Sequence, residues 1–159
     1  MWFIPAIAMV ILIGLDQAAK YFALINLKPI GSTVLAEGIL NLTFVENRGV
    51  AFGMFSGQRW FILLLTGVIT IVLVYYYGKL PKTREYKFVR MAMVLILAGA
   101  IGNMIDRVFR GYVVDFFEFG FIRFPVFNVA DIFVVVGVFI LAFLILFVIK
   151  EPEEKKKDE

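Results

Sequence analysis

The sequence predicts an α-helical integral membrane protein with four transmembrane helices and a small β-rich subdomain between the first and second of them. Three observations carry that prediction. The 159 residues are 62% hydrophobic and 18% charged, with a mean hydropathy of +0.91. One domain of this length leaves much of its surface exposed, and water would not tolerate so much of it being apolar. The apolar residues are also gathered into runs long enough to cross about 30 Å of hydrocarbon, and the charges fall mostly between them.

The first span is expected over about residues 3–25. It is apolar from Trp2 to Leu15, then passes through Asp16 and Gln17 into Ala18-Ala19-Lys20-Tyr21-Phe22. It lacks a basic leading region and carries an Asp where a signal-peptide core would end, so it reads as a retained helix with a polar far end. Residues 27–57 are punctuated by Pro29, Gly31, Gly38, Gly49, Gly53 and Gly57, and the stretch from Ile39 to Val45 has strand-like composition. A small β-rich cradle is expected there.

The second span, about 59–78, holds no charge between Trp60 and Tyr77, and its aromatic ends suit the two bilayer interfaces. The third, about 88–107, ends on Asp106-Arg107. The fourth, about 125–149, carries Asn128 and Asp131 near its start. The remainder, 150–159, is charged and mixed in sign, and is expected to be a disordered tail. No internal repeat or domain boundary interrupts residues 1–159, so one membrane-embedded domain is expected.

Orientation follows from the basic residues. Lys79, Lys82, Arg84, Lys87 and Arg90 crowd the connection between spans two and three, and Lys150, Lys155, Lys156 and Lys157 follow span four. Two hairpins put that connection and both termini on one side, which the positive-inside rule makes cytoplasmic. The β-rich subdomain is then extracytoplasmic. The same topology accounts for the formal charge of +3, so nucleic acid is not an expected partner.

Absences narrow the chemistry. The chain has no Cys and no His, which removes thiolate nucleophiles and imidazole bases together with the commonest metal ligands. Serine occurs only at Ser32 and Ser56. No metal or cofactor is expected, and hydrolytic chemistry would fall to carboxylates.

Polar side chains at the edge of spanning helices cost about 2.5–3.5 kcal/mol each on insertion scales and mark functional sites. Asp16, Asn103, Asp106, Arg107, Asp115, Asn128 and Asp131 all fall toward the outer ends of their segments. Asn103 can share a helix face with Asp106, three positions on, and with Arg107, four on, as can Asn128 with Asp131. Gly99 and Gly102 would let a neighbouring helix approach closely. Two carboxylates held together over a water form a peptidase site, since close like charges leave one partner protonated. Structural roles compete at several positions. Asp106 beside Arg107 is expected to form a helix-end ion pair, Asp16 can pair with Lys20 at i,i+4, and Asn47 with its glycines can be turn chemistry. Asp115 and Asp131 have no adjacent cation. The residues alone leave open a transporter with a proton relay, or a non-catalytic lipid-binding scaffold.

At these positions the chain resembles the bacterial lipoprotein signal peptidases (signal peptidase II), and the match runs over nearly its whole length. The blocks are Asp16-Gln17-Ala18-Ala19-Lys20, Asn47-Arg48-Gly49-Val50-Ala51-Phe52-Gly53, Gly102-Asn103-Met104-Ile105-Asp106-Arg107, Val113-Val114-Asp115-Phe116 and Phe127-Asn128-Val129-Ala130-Asp131. The resemblance implies an aspartic endopeptidase of the bacterial cytoplasmic membrane with its site toward the outer face. Its substrate would be a prolipoprotein carrying a diacylglyceryl group, cut just before the lipidated cysteine, and globomycin would inhibit it. It assigns the dyad to Asp115 and Asp131. Asp16, Lys20, Asn47, Gly49, Asn103, Arg107 and Asn128 would support the site or the substrate, with the loop from Asn47 to Gly53 lying across it. Asp106 is the alternative partner for Asp131. The Phe-rich stretch from Phe116 to Phe127 is expected to dip into the interface against lipid, and a monomer is expected to suffice.

Overall fold

The computed structural model describes residues 3–50, 54–84 and 86–149. The tail at 150–159 and part of the glycine-rich block, 51–53, lie outside the described residues. Four long apolar helices form the body: α1 (Phe3–Phe22), α2 (Arg59–Lys79), α3 (Lys87–Phe109) and α4 (Val129–Phe143). Single π turns, Ala23–Leu27 and Leu144–Val148, prolong α1 and α4. The resulting apolar stretches are 25, 21, 23 and 20 residues long, each enough to cross a bilayer at about 1.5 Å per residue. The protein is a multi-pass membrane protein.

Burial ranks the helices. Half of the most apolar stretch of α3 is buried, against 11% for each of the others, so α3 is the axial helix around which the rest pack. The outward faces of α1, α2 and α4 present Val10, Leu64, Ile71 and Phe139 for lipid to cover. Contact between α3 and α4 depends on missing side chains. A Cβ on Gly99 would collide with the Ala130 carbonyl, and one on Gly137 would stand 2.8 Å from the Ala92 carbonyl oxygen. Between helices in lipid, close packing replaces the hydrophobic effect as the driving force, and small residues permit it.

At one end of the bundle lies an antiparallel sheet of order β1-β2-β3, made of β1 (Ser32–Ala36), β2 (Leu40–Asn47) and β3 (Val113–Phe119). Gly38, at φ 68°, takes the left-handed conformation that closes the β1–β2 hairpin. β3 adds what the sequence reading lacks, a strand from Val113 to Phe119 that takes in the start of the Phe-rich stretch expected to dip into the interface. Val113, Val114 and the phenylalanines have strand propensity, and β2 supplies the partner, pairing Asn47 with Val113 and Val45 with Asp115. Val114 and Phe116 are buried against Ala23 and Leu27 at the end of α1, which fastens the sheet to the bundle. Beyond β3, Phe121 and Phe124 are exposed, while Phe127 returns to bridge Phe117.

The fourth helix starts at Val129, later than the expected 125. Pro125 disfavours helical backbone just before it, and Asn128 is held extended at φ −133°, ψ −176° as the N-cap. Asn128 and Asp131 close a capping box, each side chain accepting a backbone N–H from the other residue.

Candidate active site

The sheet-bearing end of the bundle collects every polar residue that the sequence singled out. The last turns of α1 bring Asp16 and Lys20, the end of α3 brings Asn103, Asp106 and Arg107, and the sheet brings Asn47 and Asp115. The first turn of α4 completes the group with Asn128 and Asp131. Residues spread over more than a hundred positions thus meet in one hydrogen-bonded cluster.

Asp115 sits on β3, 2% exposed. Its two carboxylate oxygens accept from separate amides, Asn128 Nδ2 at 2.6 Å and Asn47 Nδ2 at 2.8 Å. Asp131 is held the same way, by Asn103 Nδ2 at 2.8 Å and by the Asn128 backbone N–H at 3.1 Å. Asn128 therefore touches both carboxylates at once. Both line a cavity of about 610 Å³ whose helical wall includes Ala100, Val134 and Val135. Burial pushes the Asp115 carboxyl up to about 7, and the charge of Asp131 adds to the rise. The Asn47 and Asn128 hydrogen bonds and the Lys20 cation pull in the opposite direction without cancelling it.

Behind the pair lies a second, fully buried layer of charge. Lys20 Nζ donates to Asp16 at 2.9 Å, Asp106 at 3.1 Å and Asn103 Oδ1 at 2.9 Å, which uses all three ammonium protons. Asn103 is thereby fixed with its carbonyl oxygen toward Lys20 and its amide N–H toward Asp131. The second oxygen of Asp16 accepts the Ala130 N–H at 2.9 Å, in the first turn of α4, where the helix dipole favours an anion. Gly102 gives Asp16 its room: a Cβ there would lie 2.6 Å from Asp16 Oδ2.

The expected pair between Asp106 and Arg107 does not form. Neighbouring residues on a helix point in different directions, whereas residues four apart share a face. Asp106 pairs with Arg110 and Lys20, and it also accepts the Val114 N–H at 3.2 Å. Arg107 donates instead to the Gly49 carbonyl at 2.8 Å, drawing the segment after β2 toward α3. Asn47 serves both readings proposed for it. Its Oδ1 accepts the Gly49 N–H at 3.0 Å in an Asx turn, while its Nδ2 reaches Asp115. Sequence reasoning passed over Gln17 and Arg110. Gln17 donates to Asp16, to the Gly102 carbonyl and to Asp106, and it accepts from Arg110. The i,i+4 spacing of Asp106 and Arg110 was the available signal for the second.

Fold and donor set together describe a class: a polytopic membrane protein that gathers two buried carboxylates, each held by asparagine N–H donors, at one end of its helices. A family model described as signal peptidase (SPase) II matches residues 8–147. The lipoprotein signal peptidase of Caldanaerobacter subterraneus subsp. tengcongensis is 51% identical over 134 residues, 84% of this chain and 89% of its own. That of Clostridioides difficile is 41% identical over 138 residues, 87% and 91% of the two chains. A bacterial membrane enzyme solved by the in meso method at 2.3 Å superposes with a TM-score of 0.82 at 35% identity, covering 98% of this chain and 93% of that one. The chain belongs to the signal peptidase II family of membrane proteases.

Proposed function

We propose that this protease removes the signal peptide from diacylglyceryl-modified prolipoproteins, cutting before the lipidated cysteine, with Asp115 and Asp131 as the catalytic pair. The observation that carries this reading is the joint tethering of the two carboxylates by Asn128 on the wall of an apolar cavity. Asp106, the rival partner, supports it by contrast. It is fully buried, both of its oxygens are engaged, and it lines neither described cavity.

Asp115, held up near 7, keeps the shared proton and offers it to the scissile carbonyl oxygen. Asp131, fixed by two N–H donors, takes a proton from the attacking water. Water oxygen bonds to the carbonyl carbon, the carbonyl oxygen gains the Asp115 proton, and a tetrahedral diol forms. On collapse, Asp131 passes its proton to the leaving amine nitrogen and Asp115 recovers one from the diol. The pair ends as it began, with one proton between the two carboxylates.

The basic connection between α2 and α3 supports a cytoplasmic position for that end of the bundle and both termini, with the site opening at the outer face of the bacterial cytoplasmic membrane. One chain supplies every group of the site, so a monomer suffices. Globomycin is the expected inhibitor, occupying the apolar cavity.

The test is cleavage of a diacylglyceryl-modified prolipoprotein by the purified protein in detergent with chelator present. Wild type cuts; Asp115→Asn and Asp131→Asn do not; Asp106→Asn cuts once its folding is verified by melting temperature. An active Asp115→Asn beside a dead, folded Asp106→Asn would transfer the role to Asp106. A wild type that leaves the substrate intact, where a known lipoprotein signal peptidase cuts it, would overturn the reading.

A further inference from the structure

A second recess adjoins the catalytic pair and has a different character. It is a groove of about 1010 Å³ between β2, β3 and the segment 120–126. Asp115 lines both recesses, whereas Asp131 lines only the cavity among the helices. The helical cavity is walled mainly by aliphatic and phenylalanine side chains, with Asn103, Arg107 and the two aspartates as its polar groups. The groove adds Glu46, Arg48, Glu118 and Arg123 to an apolar floor that includes Phe121, Ile122 and Phe124, so it is the more polar of the two. A chain crossing from one recess to the other passes over the catalytic pair and changes solvent as it does so.

Resting on the function proposed above, we propose that this groove holds the polypeptide that follows the scissile bond, and that Arg123 selects for an acidic side chain early in that segment. The two ends of the substrate differ in the same way as the two recesses. A signal peptide is apolar and must stay in or near lipid, whereas the segment after the lipidated cysteine emerges into water. The apolar side of the substrate matches the helical cavity, and the polar side matches the groove.

Charge pairing inside the groove gives the sign of the preference. Glu46 is engaged by Lys28 at 3.0 Å and by Arg48 at 3.1 Å. Arg48 also stacks over the Tyr112 ring, 5.7 Å from its centroid. Glu118 accepts from Thr43 Oγ1 at 2.5 Å. Arg123 is exposed, and among the described residues it has no hydrogen bond, ion pair or ring contact. Glu118 keeps its charge against a neutral hydroxyl, Lys28 and Arg48 together outweigh the single carboxylate of Glu46, and Arg123 is left as a cation without a partner among the described residues. A carboxylate on the substrate would find a cation there without displacing an existing partner.

The experiment uses three diacylglyceryl-modified prolipoprotein segments, identical through the lipidated cysteine and carrying two acidic, two neutral or two basic residues after it. Exposed ion pairs are weak and screened by salt, so wild type should show a KM about two- to five-fold lower for the acidic than for the basic substrate, narrowing at high ionic strength. Arg123→Glu should reverse the order, lowering the KM for the basic substrate below the wild-type value. That gain cannot come from damaged folding. Equal KM values for all three substrates in both proteins would overturn the inference while leaving the protease reading intact. Failure of wild type to cut any of the three would instead count against the protease reading itself.

Discussion

Replacing Asp115 by Asn should abolish cleavage and at the same time make the folded protein less sensitive to alkaline pH. The carboxyl is 2% exposed and raised from the usual 3.8 to about 7, a rise worth about 4 kcal/mol in favour of the neutral form. A carboxyl raised on folding stabilises the fold while it is protonated. Its contribution is complete below about pH 4 and is lost as pH climbs through 7. Between about pH 5 and pH 8 the wild type should lose roughly 2–3 kcal/mol through this one group. Asn cannot ionise, so the variant escapes that loss. It incurs a different cost that does not depend on pH, since Asn47 and Asn128 both donate to Asp115 and one of them would face the new amide N–H, at about 1–3 kcal/mol. The assay is thermal melting of both proteins in detergent across this range. The variant should be the less stable at pH 5, and the gap should close or invert by pH 8. Parallel melting curves across the whole range would refute the account of Asp115 as a carboxyl held neutral by burial and by its neighbour's charge.

Two further outcomes follow from the same geometry. Lys20→Met should cost about 3–5 kcal/mol, visible as a large fall in melting temperature, because it leaves Asp16 and Asp106 buried without their shared cation. Cleavage by any folded remainder should also drop, since Asn103 loses the contact that orients it toward Asp131; an unchanged melt would show that water or another group replaces the ammonium. Gly137→Val should cost about 1–3 kcal/mol by forcing α4 away from the Ala92 carbonyl, whereas Gly14→Ala, with nothing within 4 Å of the added carbon, should leave the melt unaltered.

Much of this was legible because lipid imposes strict rules on sequence. Spans reveal themselves by length and apolarity, and a polar residue that survives near one calls for a reason, which is how Asp115, Asp131, Asn103 and Asn128 stood out. The misreadings share a cause. β3 is short, and its partner β2 lies some seventy residues earlier, so its strand character depends on a pairing that no local pattern announces. Adjacency suggests an Asp106–Arg107 pair, but helix geometry sets the two on different faces and gives Asp106 to Arg110 and Lys20. Apolar composition extends back past Pro125 and suggests an earlier start for the fourth helix, while the cap that starts it is a matter of a single asparagine's hydrogen bonds.

That asparagine ties two quantities that most enzymes leave independent. Asn128 ends the loop and starts α4 with a side chain that holds the Asp115 carboxylate and accepts the Asp131 N–H, while its own backbone N–H holds the Asp131 carboxylate. On the proposed assignment, a chain whose last helix has slipped by a turn, or has not yet docked on α3, has no working pair. Membrane insertion therefore carries its own interlock. On that assignment, the nascent protein has no complete pair until its final span has seated on α3.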